Sequence, residues 1–83
     1  MLATDVRIFI LRALAAARGE PVPDDTLRQA IRTQFRHIAF TDAEISARIR
    51  DAQSASLITS ATDDIFGRLW ALTPKGALAA AQL

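Results

Sequence analysis

LITSATDDIFGRLWALTPKG, residues Leu57 to Gly76, reads as a strand, a tight connection, a second strand and a helix start. Leu57-Ile58-Thr59-Ser60 and Arg68-Leu69-Trp70-Ala71-Leu72 are rich in leucine, β-branched and aromatic residues, which suit a pleated, half-buried surface. The connection Ala61–Gly67 carries Asp63, Asp64 and Gly67. Aspartates favour turns through local hydrogen bonds to the backbone, and glycine tolerates the φ values that turns require. At Thr73-Pro74 the apolar period changes from two to 3.6. Threonine can cap the first free N–H groups of a helix, and proline at the first helical position loses no hydrogen bond. The spacing therefore predicts a hairpin that runs directly into a helix.

Leu57-Ile58 together with Arg68-Leu69-Trp70-Ala71-Leu72-Thr73-Pro74-Lys75-Gly76 resembles the end of winged helix-turn-helix domains of the MarR and PadR type. In those families a "-LI-" strand leaves the recognition helix, a wing follows, and a strand ends in "-LTxxG-". Over Thr4 to Ser56 the resemblance is architectural. It implies an α+β fold: a small winged helix-turn-helix of three helices, a two- to three-stranded β-hairpin wing and a short C-terminal helix. It also implies a small DNA-binding transcriptional regulator, working as a homodimer.

Eighty-three residues make a single domain, 1–83, with one modest core. A composition of 51% hydrophobic and 23% charged residues argues for a globular chain and against disorder. Ten basic residues against nine acidic ones leave a formal charge of +1, a weak footprint for a nucleic-acid binder. Any affinity for DNA must then come from where the arginines sit. All the basic residues but Lys75 are arginine, whose planar fork grips phosphate or guanine with two donors. The absence of cysteine excludes disulfides, thiolate metal sites and cysteine nucleophiles, and the lone His37 cannot build a zinc site. No metal or other cofactor is expected. Val6–Leu11 is apolar but is interrupted by Arg7 and is too short for a membrane span, so a soluble, cytoplasmic protein is expected.

Thr4 to Arg18 reads as the first helix, with Gly19 as its stop. Val6, Phe9, Ile10, Ala13, Leu14 and Ala17 share a core face. Ile8 and Leu11 fall outside it, and two readings stand: cover by the domain itself, or an apolar strip joining a partner subunit. Leu2, Leu78 and Leu83 would complete that strip. Glu20-Pro21-Val22-Pro23 cannot be helix interior; the resemblance puts a one- or two-residue strand there, beside the wing. The second helix opens at Pro23-Asp24-Asp25, acids that suit its positive end, and runs to about Phe35. Arg28, Arg32 and Arg36 recur every four residues along one face, either an ordinary solvated face or a stripe that contacts DNA phosphates.

After the connection Arg36–Phe40, Thr41-Asp42-Ala43-Glu44 forms a capping box that starts a third helix, through about Ser54. Ile45, Ile49 and Ala52 face inwards. Ser46, Arg50 and Gln53 lie opposite, and an arginine and a glutamine on such a face suit guanine and adenine edges in the major groove. This would be the recognition helix. Arg48 is set apart by its spacing from Glu44, which suggests a surface ion pair. Asp63 and Asp64 would repel phosphate, so Arg68, at the base of the second strand, is the wing cation left for DNA. Ile65 and Phe66 either fold back onto the hairpin or make a protein-contact tip. Trp70 is expected as a core anchor, and Thr73–Gly76 as a structural corner.

An enzyme is not expected, since the chain has no nucleophile elbow, glycine-rich phosphate loop or carboxylate pair with a reason for burial. Double-stranded DNA is the expected partner. The alternative is a winged-helix protein–protein interaction module, an adaptor or phage-type accessory protein, that uses Ile65 and Phe66 and does not bind DNA.

Overall fold

The computed structural model describes residues 2–83, and the side chains of residues 4–83. Helices α1 (Leu2–Ala16), α2 (Asp24–Gln34) and α3 (Asp42–Ser54) precede a hairpin of β2 (Ile58–Asp63) and β3 (Gly67–Leu72) and a last helix α4 (Pro74–Ala81). A two-residue strand β1 (Val22–Pro23) joins the other edge of β3, so the antiparallel sheet has the order β1-β3-β2. Val22 pairs with Trp70 and Pro23 with Leu69. The arrangement is the α+β winged helix expected from Leu57–Gly76.

The core gathers one apolar face from each element. Val6, Ile10 and Leu14 come from α1, Leu27 and Ile31 from α2, Ile45, Ile49 and Ala52 from α3, and Ile58 and Trp70 from the sheet. Phe9, Phe35 and Phe40 close one side edge-to-face, with ring centroids 5.7 and 6.1 Å apart, an arrangement that aromatic quadrupoles favour. Leu11 corrects the partner-strip expectation, for it is only 4% exposed and belongs to the core. The reason is that α1 packs against α2, α3, α4 and β3, which cover it on more than one side. Ile8 is half-buried, and Leu2 lies outside the described side chains.

Four boundaries differ from expectation, the first being that α1 begins at Leu2, before Thr4. α1 ends at Ala16, two residues early, and the chain turns through Arg18 and Gly19 with φ of 54° and 85°. α2 ends at Gln34, so Arg36 lies in the following turn rather than on the helix with Arg28 and Arg32. The wing strands are longer: pairing continues from Ile58↔Leu72 to Asp63↔Gly67, leaving a three-residue turn. Asp63 makes so short a turn possible by accepting from the N–H of Ile65 (2.7 Å) and of Phe66 (2.9 Å). Gly67 supplies the left-handed φ of 73° that such a loop needs.

Two capping devices aim α3 and attach the wing to it. At its start the Glu44 N–H donates to Thr41 Oγ1 (3.1 Å) while Thr41 N–H donates to Glu44 Oε1 (3.0 Å), the reciprocal box read from the sequence. At its end Ser56 adopts φ 63°, and the N–H groups of Ser56 and Leu57 donate to Gln53 and Ala52 carbonyls, which sends the chain straight into β2. Thr73 completes the corner: its hydroxyl donates to Ser56 O (2.5 Å) and accepts from the Gly76 N–H (3.0 Å). Lys75 Nζ donates to Ala55 O at 3.0 Å.

Candidate nucleic-acid interface

Burying Ile45, Ile49 and Ala52 leaves α3 only its opposite face for a ligand. Arg50 and Gln53 are exposed there, and Ser46 is half-buried. The chain reversals on either side bring α2 and β3 alongside that face. Arg28, Ser46, Arg50, Gln53 and Arg68 thus line one polar cleft of about 80 Å³, completed by buried Ile49 and Trp70. Five of the seven residues assigned to DNA from sequence surround this cleft. The other two do not: Arg32 lines a neighbouring depression of about 500 Å³ with Asp25, Gln29, Asp42 and Arg28, which borders both, and Arg36 is exposed in the turn after α2.

A hydrogen-bonded chain crosses the cleft from wing to recognition helix. Trp70 Nε1 donates to Asp24 Oδ1, Arg28 Nε donates to Asp24 Oδ2, and Arg28 Nη2 donates to Ser46 Oγ, each at 2.8 Å. Arg68 lies over the Trp70 ring, 5.7 Å from its centroid, within the range where a cation is held by the ring face. Burial alone would raise the Asp24 pKa, but hydrogen bonds from Trp70 and Arg28 and the charges of Arg28 and Arg68 outweigh it and hold the carboxyl below its ordinary range. Asp24 is therefore a carboxylate bonded to two residues of the cleft wall, Arg28 and Trp70, a role its position as first-turn acid did not suggest. Its spacing of four from Arg28 was a legible signal; its bond to Trp70, 46 residues away, was not.

Other cations on this side are also paired. Arg32 bridges to Asp42 across the α2–α3 gap, and Arg7 Nη2 reaches Asp51 Oδ2 at 2.6 Å, tying α1 to α3. The expected Glu44–Arg48 ion pair does not form. Glu44 is held below its ordinary pKa first by hydrogen bonds with Thr41, with a smaller contribution from the Arg48 charge, and Arg48 Nε is buried without a hydrogen-bond partner. Among the described residues, Arg36, Arg50 and Arg68 have no carboxylate partner.

The apolar candidates separate into two surfaces. Ile65 and Phe66, at the wing tip, are 84% and 65% exposed, so the pair does not fold back onto the hairpin. Leu78 on α4 is 69% exposed. Near it an apolar groove of about 440 Å³ runs between α1, β3 and α4, lined by Leu14, Leu72, Ala77, Ala80 and others. Among the described residues no group of His, Cys, Asp and Glu side chains is arranged to hold a metal ion, and no helix is long and apolar enough to cross a membrane.

No protein-family model matches the chain, and no curated protein matches it. Among solved structures the fold is similar to that of a transcriptional regulator of the MarR family from Silicibacter pomeroyi, with a TM-score of 0.69 at 19% identity. The superposition covers 93% of this chain and 47% of that one, so the chain spans about half the length of that regulator. At this identity the likeness is one of fold: the chain is a winged helix-turn-helix domain.

Proposed function

We propose that this domain binds double-stranded DNA as a transcriptional regulator, with α3 in the major groove. The observation that carries the reading is the convergence of Arg28, Ser46, Arg50, Gln53 and Arg68, from α2, α3 and β3, on one polar cleft. Arg50 and Gln53 face guanine and adenine edges, and Ser46 supplies a hydroxyl to either. Arg28, Arg32, Arg36 and Arg68 hold phosphates on both sides of the groove. The wing contributes through Arg68, which pairs with Thr62 next to the turn, while Asp63 and Asp64 keep phosphate away from the turn itself.

The likeness to a MarR-family regulator and the exposed Leu78 beside an apolar groove support a homodimer, with Ile8 and Leu78 in the contact. Sedimentation of the wild type and of Leu78→Asp tests this: a dimer that becomes a folded monomer is the expected result.

Fluorescence anisotropy of a labelled duplex, titrated at several salt concentrations, tests the DNA reading. Arg36 and Arg68, the phosphate-holding cations without a carboxylate partner, predict a slope of log K against log salt of about −2, at about −0.9 per phosphate contact. Absence of binding at low salt would sink it. A second reading then takes over, favoured by the exposure of Ile65 and Phe66: a protein-interaction module docking through the wing tip. An Ile65→Ser, Phe66→Ser variant that stays folded but no longer retains its protein partner would support that reading, and unchanged retention would count against it.

A further inference from the structure

We infer that Asp24 is a built-in competitor of DNA phosphate for Arg28, and that duplex binding exchanges one anion for the other. The inference rests on the DNA reading of the cleft and adds a residue that reading does not use. Arg28 presents Nε and Nη2, the two-donor edge that grips an oxyanion, to Asp24 Oδ2 and Ser46 Oγ at 2.8 Å each. That edge is thus already filled in the free protein. Asp24 cannot swing away with Arg28, because its other oxygen accepts from Trp70 Nε1 on β3. Arg28 is the mobile partner: its side chain is 27% exposed and stands at the wall of a cleft shared with Arg50 and Arg68.

The physical consequence is an affinity set by subtraction. Each cation that a duplex recruits releases condensed counterions, but a cation already neutralised by a fixed carboxylate releases fewer. Asp24 also lies close enough to Arg68 to feel its charge, so it weakens the cleft at two of its three guanidinium groups. A chain with a formal charge of only +1 can keep a geometrically complete binding face and still hold duplex weakly. Asp24 is the residue that sets this balance.

Asp24→Asn tests it, because the amide oxygen still accepts from Trp70 while the carboxylate grip on Arg28 is lost. Asp25→Asn is the control: Asp25 is exposed, forms no ion pair among the described residues, and carries the same charge one position away. The expected result for Asp24→Asn is duplex affinity raised roughly threefold or more, with a salt slope steeper by up to about 0.9, because no freed carboxylate then takes up a cation to offset the release at Arg28. For Asp25→Asn a smaller gain with an unchanged slope is expected. If the wild type binds with a measurable slope and Asp24→Asn binds no tighter than Asp25→Asn, Asp24 only orients Arg28 and the inference fails while the DNA reading stands. If no variant binds at low salt, both fail. Should Asp24→Asn unfold, NMR of the wild type decides: the Arg28 Nε–H signal must shift on duplex addition while the indole signal of Trp70, the sole tryptophan, persists. An unmoved Arg28 signal overturns the exchange.

Discussion

Trp70 donates its indole N–H to the Asp24 carboxylate across 2.8 Å, joining the middle of β3 to the first turn of α2. The ring is core, 2% exposed, and the polar edge is the wing's connection to the cleft. Trp70→Phe keeps most of the packing and removes the donor, leaving one oxygen of a half-buried carboxylate short of a partner. The expected loss is about 1–2 kcal/mol in urea denaturation. A loss smaller than about 0.5 kcal/mol would mean that water replaces the indole freely.

The same contact sets an acid dependence. Asp24 is held below its ordinary value of 3.8 in the folded protein. A depressed pKa stabilises the fold above the unfolded value, and that stabilisation disappears as pH falls through 3.8 towards the folded value. Thermal melts of the wild type should therefore lose stability below about pH 4, and Asp24→Asn should lose less over that window. Parallel acid profiles for the two proteins would assign the acid loss to other carboxylates.

Gly76 sits where α4 starts beneath the backbone of Leu57, and a Cβ there would run into the Leu57 carbonyl. Gly76→Ala, normally favourable within a helix, should here cost about 1–3 kcal/mol through displacement of backbone. Equilibrium denaturation measures it, and a stabilised variant would show that α4 can slide.

Thr41→Ala removes one half of the α3 capping box and leaves Glu44 without its hydroxyl partner. A loss of about 1 kcal/mol is expected, with hydrogen exchange accelerated first in the opening turn of α3. Uniform acceleration across the domain would instead mean that the cap is part of the global unfolding unit.

Arg50→Ala and Arg36→Ala should differ in kind. Losing a base-reading arginine costs about 1–3 kcal/mol on the preferred sequence and relaxes selection at one base pair. Losing a phosphate contact weakens all sequences alike and reduces the salt slope by about 0.9. Selection from a randomised duplex pool, followed by anisotropy, separates the two, and identical behaviour would remove Arg50 from the base-reading set.

Local rules in the sequence decided the elements and their order. Thr41 and Glu44 announce the start of α3, Thr73-Pro74 that of α4, and the apolar spacing names Ile45, Ile49, Ala52 and Ile10 as core. Those signals act within a few residues, where capping and periodicity are strong enough to be read directly. The tertiary structure decided the rest, because the deciding partners are far apart in the chain. Leu11 is core because α1 is packed by α2, α3, α4 and β3, on more sides than one apolar stripe would cover. Asp63 makes the local turn bonds that its type suggests, but only the pairing of β2 with β3 out to Asp63↔Gly67 set how short the turn is. Arg32 and Arg7 read as free surface cations, yet folding set Asp42 and Asp51 of α3 against them. Periodicity says which side of a helix a charge occupies. Only the packing of one helix on another says whether an opposite charge is waiting there.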